Sequence, residues 1–309
     1  MVDLGESTRL ASGPVFLMSV ATFAAAQILR LLPRVRITRA VGRLSDARIS
    51  APLASTVVGL FARAYDVDLG EAIRPEGGYD SFDSFFTRKL KEGARPTCTD
   101  PHAIVSPADG NVVALGPIEH DGRFLIKGRD YRADELLGDV DEAKRYEGGH
   151  FAVVYLSPRD YHRVHAPVAG DVSTIRSMPG DLFPVNSIGE RHIDSLFSIN
   201  RRVAIAIDTP PTESKPLGSR VTVVMVGAMI VGRITVSAIE AHDVPLGTHI
   251  ISPVQHVERG GEIGIFHLGS TAVVFVEPGD SALTRRLGPI RLGEPLSSSP
   301  SHQNGSGTR

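Results

Sequence analysis

Apolar residues follow two different rhythms along this chain. Leu53, Val57, Leu60, Phe61 and Ala64 recur at helical spacing, and residues 1 to about 65 as a whole read as helical. A further helix is expected over Ser81 to Leu90. There Phe82, Phe85 and Phe86 share one face, which reads as core packing, and Ser81 supplies a cap. From about Ile104 the rhythm changes to short β segments separated by Gly and Pro. Strands are expected at Ile104-Val105, Asn111 to Leu115, Phe124 to Lys127, Phe151 to Leu156 and Gly170 to Arg176. Others are expected at Arg202 to Ile207, Val221 to Val226, Arg233 to Ala238 and Thr271 to Val276. Many short strands with turn signals indicate a mainly β domain, so the chain reads as α+β, helices first.

A weak internal repeat bears on domain organisation. Ser106-Pro107-Ala108-Asp109-Gly110-Asn111-Val112 matches Ala166-Pro167-Val168-Ala169-Gly170-Asp171-Val172, and Pro-x-x-Gly-x-Val suits a tight turn entering a strand. The duplication suggests a β domain built from two related β modules. The expected division is an N-terminal helical, membrane-associating region over 1–65, a catalytic domain over 66–296, and a polar tail over 297–309 whose composition reads as disordered.

Composition narrows the function classes. The 309 residues are 42% hydrophobic with a formal net charge of -2, which supports a substantial core and argues against nucleic-acid binding. Charge is uneven, however. Arg30, Arg34, Arg36, Arg39, Arg43 and Arg48 face only Asp46 over the same stretch, just after the nearly continuous apolar run Gly13 to Leu29. An apolar segment beside a cationic cluster suits an anionic membrane surface. An interfacial anchor, a spanning helix and a cleaved signal all remain open for that run, and the basic side is expected in the cytoplasm. The expected location is the cell membrane, peripheral or monotopic, on the cytoplasmic side. Cys98 is the only cysteine, so no intramolecular disulfide or cysteine metal cluster can form.

Three segments carry candidate chemistry. Asp109 sits in an Asp-Gly turn. The run Tyr155-Leu156-Ser157-Pro158-Arg159-Asp160-Tyr161-His162-Arg163-Val164-His165-Ala166-Pro167 holds two histidines three apart. On a helix these would suit a metal, but the flanking prolines argue against a long helix, and no cysteine or carboxylate set completes a zinc site. The third segment is Leu268-Gly269-Ser270-Thr271, between two strand-like stretches. A serine hydroxyl there can attack the preceding glycine carbonyl, turning the amide into an ester. Elimination and hydrolysis then leave a pyruvoyl group at the new N-terminus. Together the segments offer a hydroxyl, an imidazole and a carboxylate, the parts that activate a serine.

With these motifs the chain resembles the phosphatidylserine decarboxylases of the bacterial, membrane-associated type. The matching segments are Phe82 to Leu90 with Arg95-Pro96, Ser106 to Gly110, Tyr155 to Pro167, Pro179 to Asn186, Val226 to Gly232 and Gly261 to Thr271. The resemblance implies a self-processing triad of Asp109, His165 and Ser270, with His165 taking the Ser270 proton and Asp109 holding its imidazole. It implies cleavage at Gly269-Ser270 into a β chain (1–269) and an α chain (270–309). These would remain an αβ heterodimer, with further dimerisation left open. It also implies a covalent pyruvoyl group made from Ser270, which captures the amine of phosphatidylserine and acts as an electron sink for decarboxylation to phosphatidylethanolamine. His162 is the implied proton donor in turnover. Two departures from the family pattern stand out, namely Asn200-Arg201-Arg202 in place of the usual Asn-Glu-Arg, and the short, divergent stretch from Ala241 to Gly260.

Other readings compete. An uncleaved Ser-His-Asp lipid hydrolase has the same parts but usually presents its serine in a strand-to-helix elbow. A lipid-binding scaffold would use the β turns without catalysis. Pyruvoyl chemistry on a soluble amino acid would leave the N-terminal region unexplained.

Overall fold

A computed structural model describes residues 33–297, apart from positions 186, 214, 231, 232 and 270. The Gly13 to Leu29 run, Arg30, Ser270 and residues 298–309 lie outside the described residues.

Two helices come first, α1 (Arg34–Asp46) and α2 (Ala51–Tyr65). Pro52 opens α2, and Asp66 ends it in the left-handed conformation (φ 56°). The helical spacing in α2 is as expected, but its apolar face is not in the core. Ala54 and Val58 are buried, whereas Leu53 is 51% and Leu60 64% exposed. Helix α3 (Phe82–Phe86) is shorter than expected. Ser81 and Ser84 cap it reciprocally, each hydroxyl accepting the other's backbone N–H (3.1 and 3.2 Å). It stops because the chain must straighten, so that Leu90 bridges Ala72 and Lys91 N–H donates to the Glu71 carbonyl. Phe85 and Phe86 are buried, and Phe61 packs edge-on against Phe82 with ring centroids 5.0 Å apart.

The main sheet has eight antiparallel strands. Their order is β10 (Gly247–Val257), β6 (Gly170–Met178), β7 (Arg202–Thr209), β8 (Ser219–Val226), β12 (Thr271–Val276), β4 (His150–Tyr155), β1 (Gly110–Pro117) and β13 (Gly288–Ile290). A smaller sheet runs β5 (Arg163–His165), β11 (Glu262–His267), β9 (Arg233–Val236), and a hairpin pairs β2 (Arg123–Ile126) with β3 (Arg129–Arg132). Four short helices, α4 (Ala133–Leu137), α5 (Val140–Lys144), α6 (Ser187–His192) and α7 (Leu196–Ile199), fill the connections. β12 lies between β8 and β4 with all its residues buried, as a continuous apolar run predicts for an interior strand.

The two Pro-x-x-Gly-x-Val segments behave alike. Gly110 and Gly170 each open a strand, and each strand shifts register just after the following valine, between Val112 and Ala114 and between Val172 and Thr174. The polar tail starts later than expected. Ser297 is buried, and its hydroxyl accepts the Ile104 N–H at 2.9 Å, so the packed chain runs one residue past the boundary drawn at 296.

Candidate active site

The smaller sheet assembles the site. β5 pairs with β11, setting His165 opposite Glu262 and Arg163 opposite Ile265. Beyond that ladder the Phe266 N–H donates to the His162 carbonyl (2.9 Å), three residues before Gly269. The two histidines are therefore on an extended segment, not a helix. The Asp109 turn docks beside them, with His165 N–H donating to the Pro107 carbonyl (2.8 Å). Gly110 is required there, since a Cβ on it would stand 2.2 Å from the Tyr155 carbonyl oxygen. Leu268, immediately before the Gly269-Ser270 bond, has φ 79°, a conformation a leucine adopts only under constraint.

His162 is fully buried, its ring against Phe86 with centroids 4.0 Å apart. Its Nδ1–H donates to the Asp160 carbonyl (2.8 Å), which leaves a lone pair on Nε2. Nε2 has no hydrogen-bond partner among the described residues, and a Cβ on Gly269 would stand 3.6 Å from it. Burial pushes the His162 pKa down to about 3, and the charge of Arg88 acts in the same direction. The imidazole is thus neutral, with an open nitrogen beside Gly269.

His165 is held differently. Its Nδ1–H donates to the Gly260 carbonyl (2.8 Å), and its Nε2 meets the Tyr161 hydroxyl (3.2 Å). Burial lowers its pKa, and the Gly260 hydrogen bond opposes that shift. Asp109 does not hold this ring, contrary to the sequence expectation. Both its oxygens accept from Arg95 (2.8 and 2.7 Å), and Oδ1 also takes the Leu292 N–H (2.8 Å). Arg95 is shared with Glu71 at 2.7 Å. The backbone of Gly260 thus does the orienting work expected of the carboxylate, while Asp109, paired with Arg95, adds only a smaller through-space effect that raises the His165 pKa. Arg95, Tyr161 and Gly260 are neighbours of these residues that the sequence reading did not single out, although Arg95 and Tyr161 lie inside segments that carry the family resemblance.

Two cavities of opposite character flank this centre. An apolar groove of about 570 Å³ runs between α1, α2, α3 and the Tyr155 to Pro158 segment and ends at Leu268 and Gly269. A charged cleft of about 420 Å³ is lined by Arg88, Arg95, Asp109, Asn111, Asp160 and Tyr161, among others.

Residues 82–298 match the family model for phosphatidylserine decarboxylase, and this span includes every candidate residue. The chain belongs to the phosphatidylserine decarboxylase family. It is 42% identical over 279 residues to a protein of Pseudomonas paraeruginosa named phosphatidylserine decarboxylase proenzyme, covering 86% of this chain and 93% of that one. Proteins of the same name from Anaeromyxobacter sp. and Bordetella petrii are each 40% identical, over 87% and 85% of this chain and 95% and 93% of theirs. The family's enzymes are carboxy-lyases, and the two departures noted from its pattern meet in space. Arg201 forms a two-pronged ion pair with Asp243 (2.7 Å for each contact), which lies inside the divergent Ala241 to Gly260 stretch.

Proposed function

We propose that this chain is a self-processing phosphatidylserine decarboxylase that cuts itself at Gly269-Ser270 and releases carbon dioxide from a membrane lipid. One observation carries the proposal, the buried Nε2 of His162 beside Gly269, without a hydrogen-bond partner among the described residues. A neutral imidazole with an open lone pair at that point fits a pyruvoyl group made from Ser270. Such a group supplies a ketone that captures the substrate amine and takes up the electron pair left when carbon dioxide departs.

The chain's own residues divide the work. In processing, His165 takes the Ser270 proton as the hydroxyl attacks the Gly269 carbonyl carbon, and the charge of Asp109 steadies the resulting imidazolium. The constrained Leu268 favours leaving the starting geometry. In turnover, His162 Nε2 accepts a proton from the substrate ammonium and later returns it to the carbon that has lost carbon dioxide. Burial suits this, since it keeps the imidazole neutral until substrate arrives.

The groove favours a lipid over a soluble amino acid. Val41, Leu44, Leu53, Val57, Phe61 and Met229 line it, and it ends at the proposed cleavage site. Leu44, 75% exposed, and Leu53 line it, and Leu60 is exposed on the same helix as Leu53, together an apolar surface suited to entering a bilayer. Arg36, Arg39 and Arg43 stand exposed on α1 for anionic headgroups. Arg34 is not part of that cationic face, because it is clamped on Asp181 (2.6 Å) and lies over the Phe183 ring. Residues 1–65 then form the membrane-associating region and the two β modules the catalytic domain. Among the described residues no helix is long and apolar enough to cross a membrane.

Intact-mass spectrometry of the denatured protein tests the processing. Two chains of residues 1–269 and 270–309, the smaller with a pyruvoyl terminus, are expected, and Ser270→Ala should stay whole. A single wild-type chain of 33.1 kDa would refute the reading. Carbon dioxide release from phosphatidylserine vesicles, but not from free serine, is the expected substrate result.

A further inference from the structure

His165 has two ring nitrogens, and both are engaged. A carbonyl only accepts, so the contact with Gly260 fixes the hydrogen on Nδ1. The Nε2 lone pair must then accept the Tyr161 O–H, and burial raises the Tyr161 pKa, which keeps that proton on the phenol. His165 is 9% exposed and Tyr161 5%. Tyr161 lines the charged cleft, His165 does not, and no residue lines both the cleft and the apolar groove. The groove is unsuited to carrying protons. Among the described residues, Tyr161 is the hydrogen-bond partner of His165 that also lines this polar, solvent-connected cleft.

We propose that the Tyr161 hydroxyl is the proton conduit between His165 and the charged cleft, and that it sets the rate of self-processing. This rests on the reading of His165 as the base for Ser270. The hydroxyl hydrogen turns from Nε2 toward the cleft and frees the lone pair for the incoming proton. The new Nε2–H then donates to the phenol oxygen. As that proton passes to the oxygen, the phenol's own proton leaves to cleft water. One N–H and one O–H bond break, a new phenol O–H and a protonated water form, and the phenol is neutral before and after.

Tyr161→Phe keeps the ring and removes only the hydroxyl. Newly synthesised full-length chain, wild type and variant, would be followed from one band to two across a range of pH. His165 is faced by Glu262 on β11, Arg163 on its own strand and Asp109 in the turn before β1, and the substitution leaves all three in place. The expected result is at least tenfold slower cleavage. The acid limb of the rate profile should also move upward in pH, because the neutral imidazole loses a hydrogen bond that favoured it. An unchanged rate and profile overturns the proposal. So does slower cleavage with an unmoved profile, which would assign Tyr161 a packing role only. His165→Asn separates the two levels of inference. If it abolishes cleavage while Tyr161→Phe cleaves normally, only the conduit fails. If it cleaves normally, the reading of His165 as base fails and takes the conduit with it.

Discussion

The neutral, buried His162 predicts a specific acid sensitivity. In an unfolded chain a histidine titrates near pH 6.5, whereas burial holds this one down to about 3. Below pH 6.5 the unfolded state binds a proton that the folded state refuses. Stability is therefore intact above 6.5, falls as pH drops through the window, and levels off near 3. The loss approaches about 1.4 kcal/mol per pH unit, so between pH 8 and pH 5 this one residue removes about 2 kcal/mol. For a chain of this size that corresponds to a fall in Tm of roughly 4 °C. The measurement is thermal unfolding at pH 8 and pH 5 in a Ser270→Ala background, which on the proposed mechanism keeps one chain, with and without His162→Gln. Other titrating groups, His165 included, contribute equally to both proteins and cancel. The variant should lose about 2 kcal/mol less on acidification, whatever its stability at pH 8. Equal losses in the two proteins would mean that His162 is not held neutral by burial, and the argument for its open Nε2 would fall.

Three further outcomes follow from the same geometry. Arg95→Met should cost about 3 kcal/mol in denaturant unfolding, because it strands a buried Asp109 carboxylate on a single backbone N–H, and a loss below about 1 kcal/mol would refute the assigned pairing. Gly110→Ala should destabilise by about 2 kcal/mol and slow cleavage, since its Cβ would drive the Asp109 turn away from the Tyr155 carbonyl, and normal processing would contradict that account. Leu53→Ser combined with Leu60→Ser should leave Tm nearly unchanged while weakening flotation with phosphatidylserine vesicles at least tenfold, because both side chains are already exposed, and unaltered flotation would remove the patch from the membrane contact.

Much of the β domain was legible because its strands are long and apolar. Val221 to Val226 and Thr271 to Val276 lie in the sheet interior, and nearly continuous apolar runs rich in valine announce such positions. What escaped was short or exposed. β3, β5 and β13 have three or four residues each, too few to show a period, and β10 is an edge strand with mostly exposed residues around Ser252-Pro253. The α2 face illustrates a different limit. Periodicity identifies which residues share a side, but Leu53 and Leu60 face outward, and an exposed apolar stripe carries the same pattern as a buried one. At the site, residue types pointed to Asp109, His162 and His165; the structure sets both histidines on one extended segment beside the Asp109 turn, but pairs the Asp109 carboxylate with Arg95 rather than with His165. Their partners were hidden, because hydrogen bonds to the Gly260 and Asp160 carbonyls come from backbone that no side-chain motif records.

The position of the proposed cut makes sense only in relation to the sheet. Cleavage at Gly269-Ser270 would sever the chain one residue before β12 and leave that strand seated between β8 and β4. The released segment also buries Leu283, Ile290, Leu292 and Leu296. Each large apolar side chain so buried contributes about 1.5 kcal/mol or more, so the strand and these four residues together exceed 10 kcal/mol. That is comparable to or above the roughly 4–15 kcal/mol that association of separate chains must overcome. The two pieces can therefore remain one folded body after the covalent bond is lost. A residue cut free at any exposed loop would be a mobile terminus. Here a terminus formed by that cut would be tied through Thr271 to the middle of an eight-stranded sheet, just after Gly269, which lines the apolar groove and lies close to His162 Nε2. On the proposed mechanism, a reactive carbonyl formed there would gain its fixed position from the strand that follows it, not from the bond that preceded it.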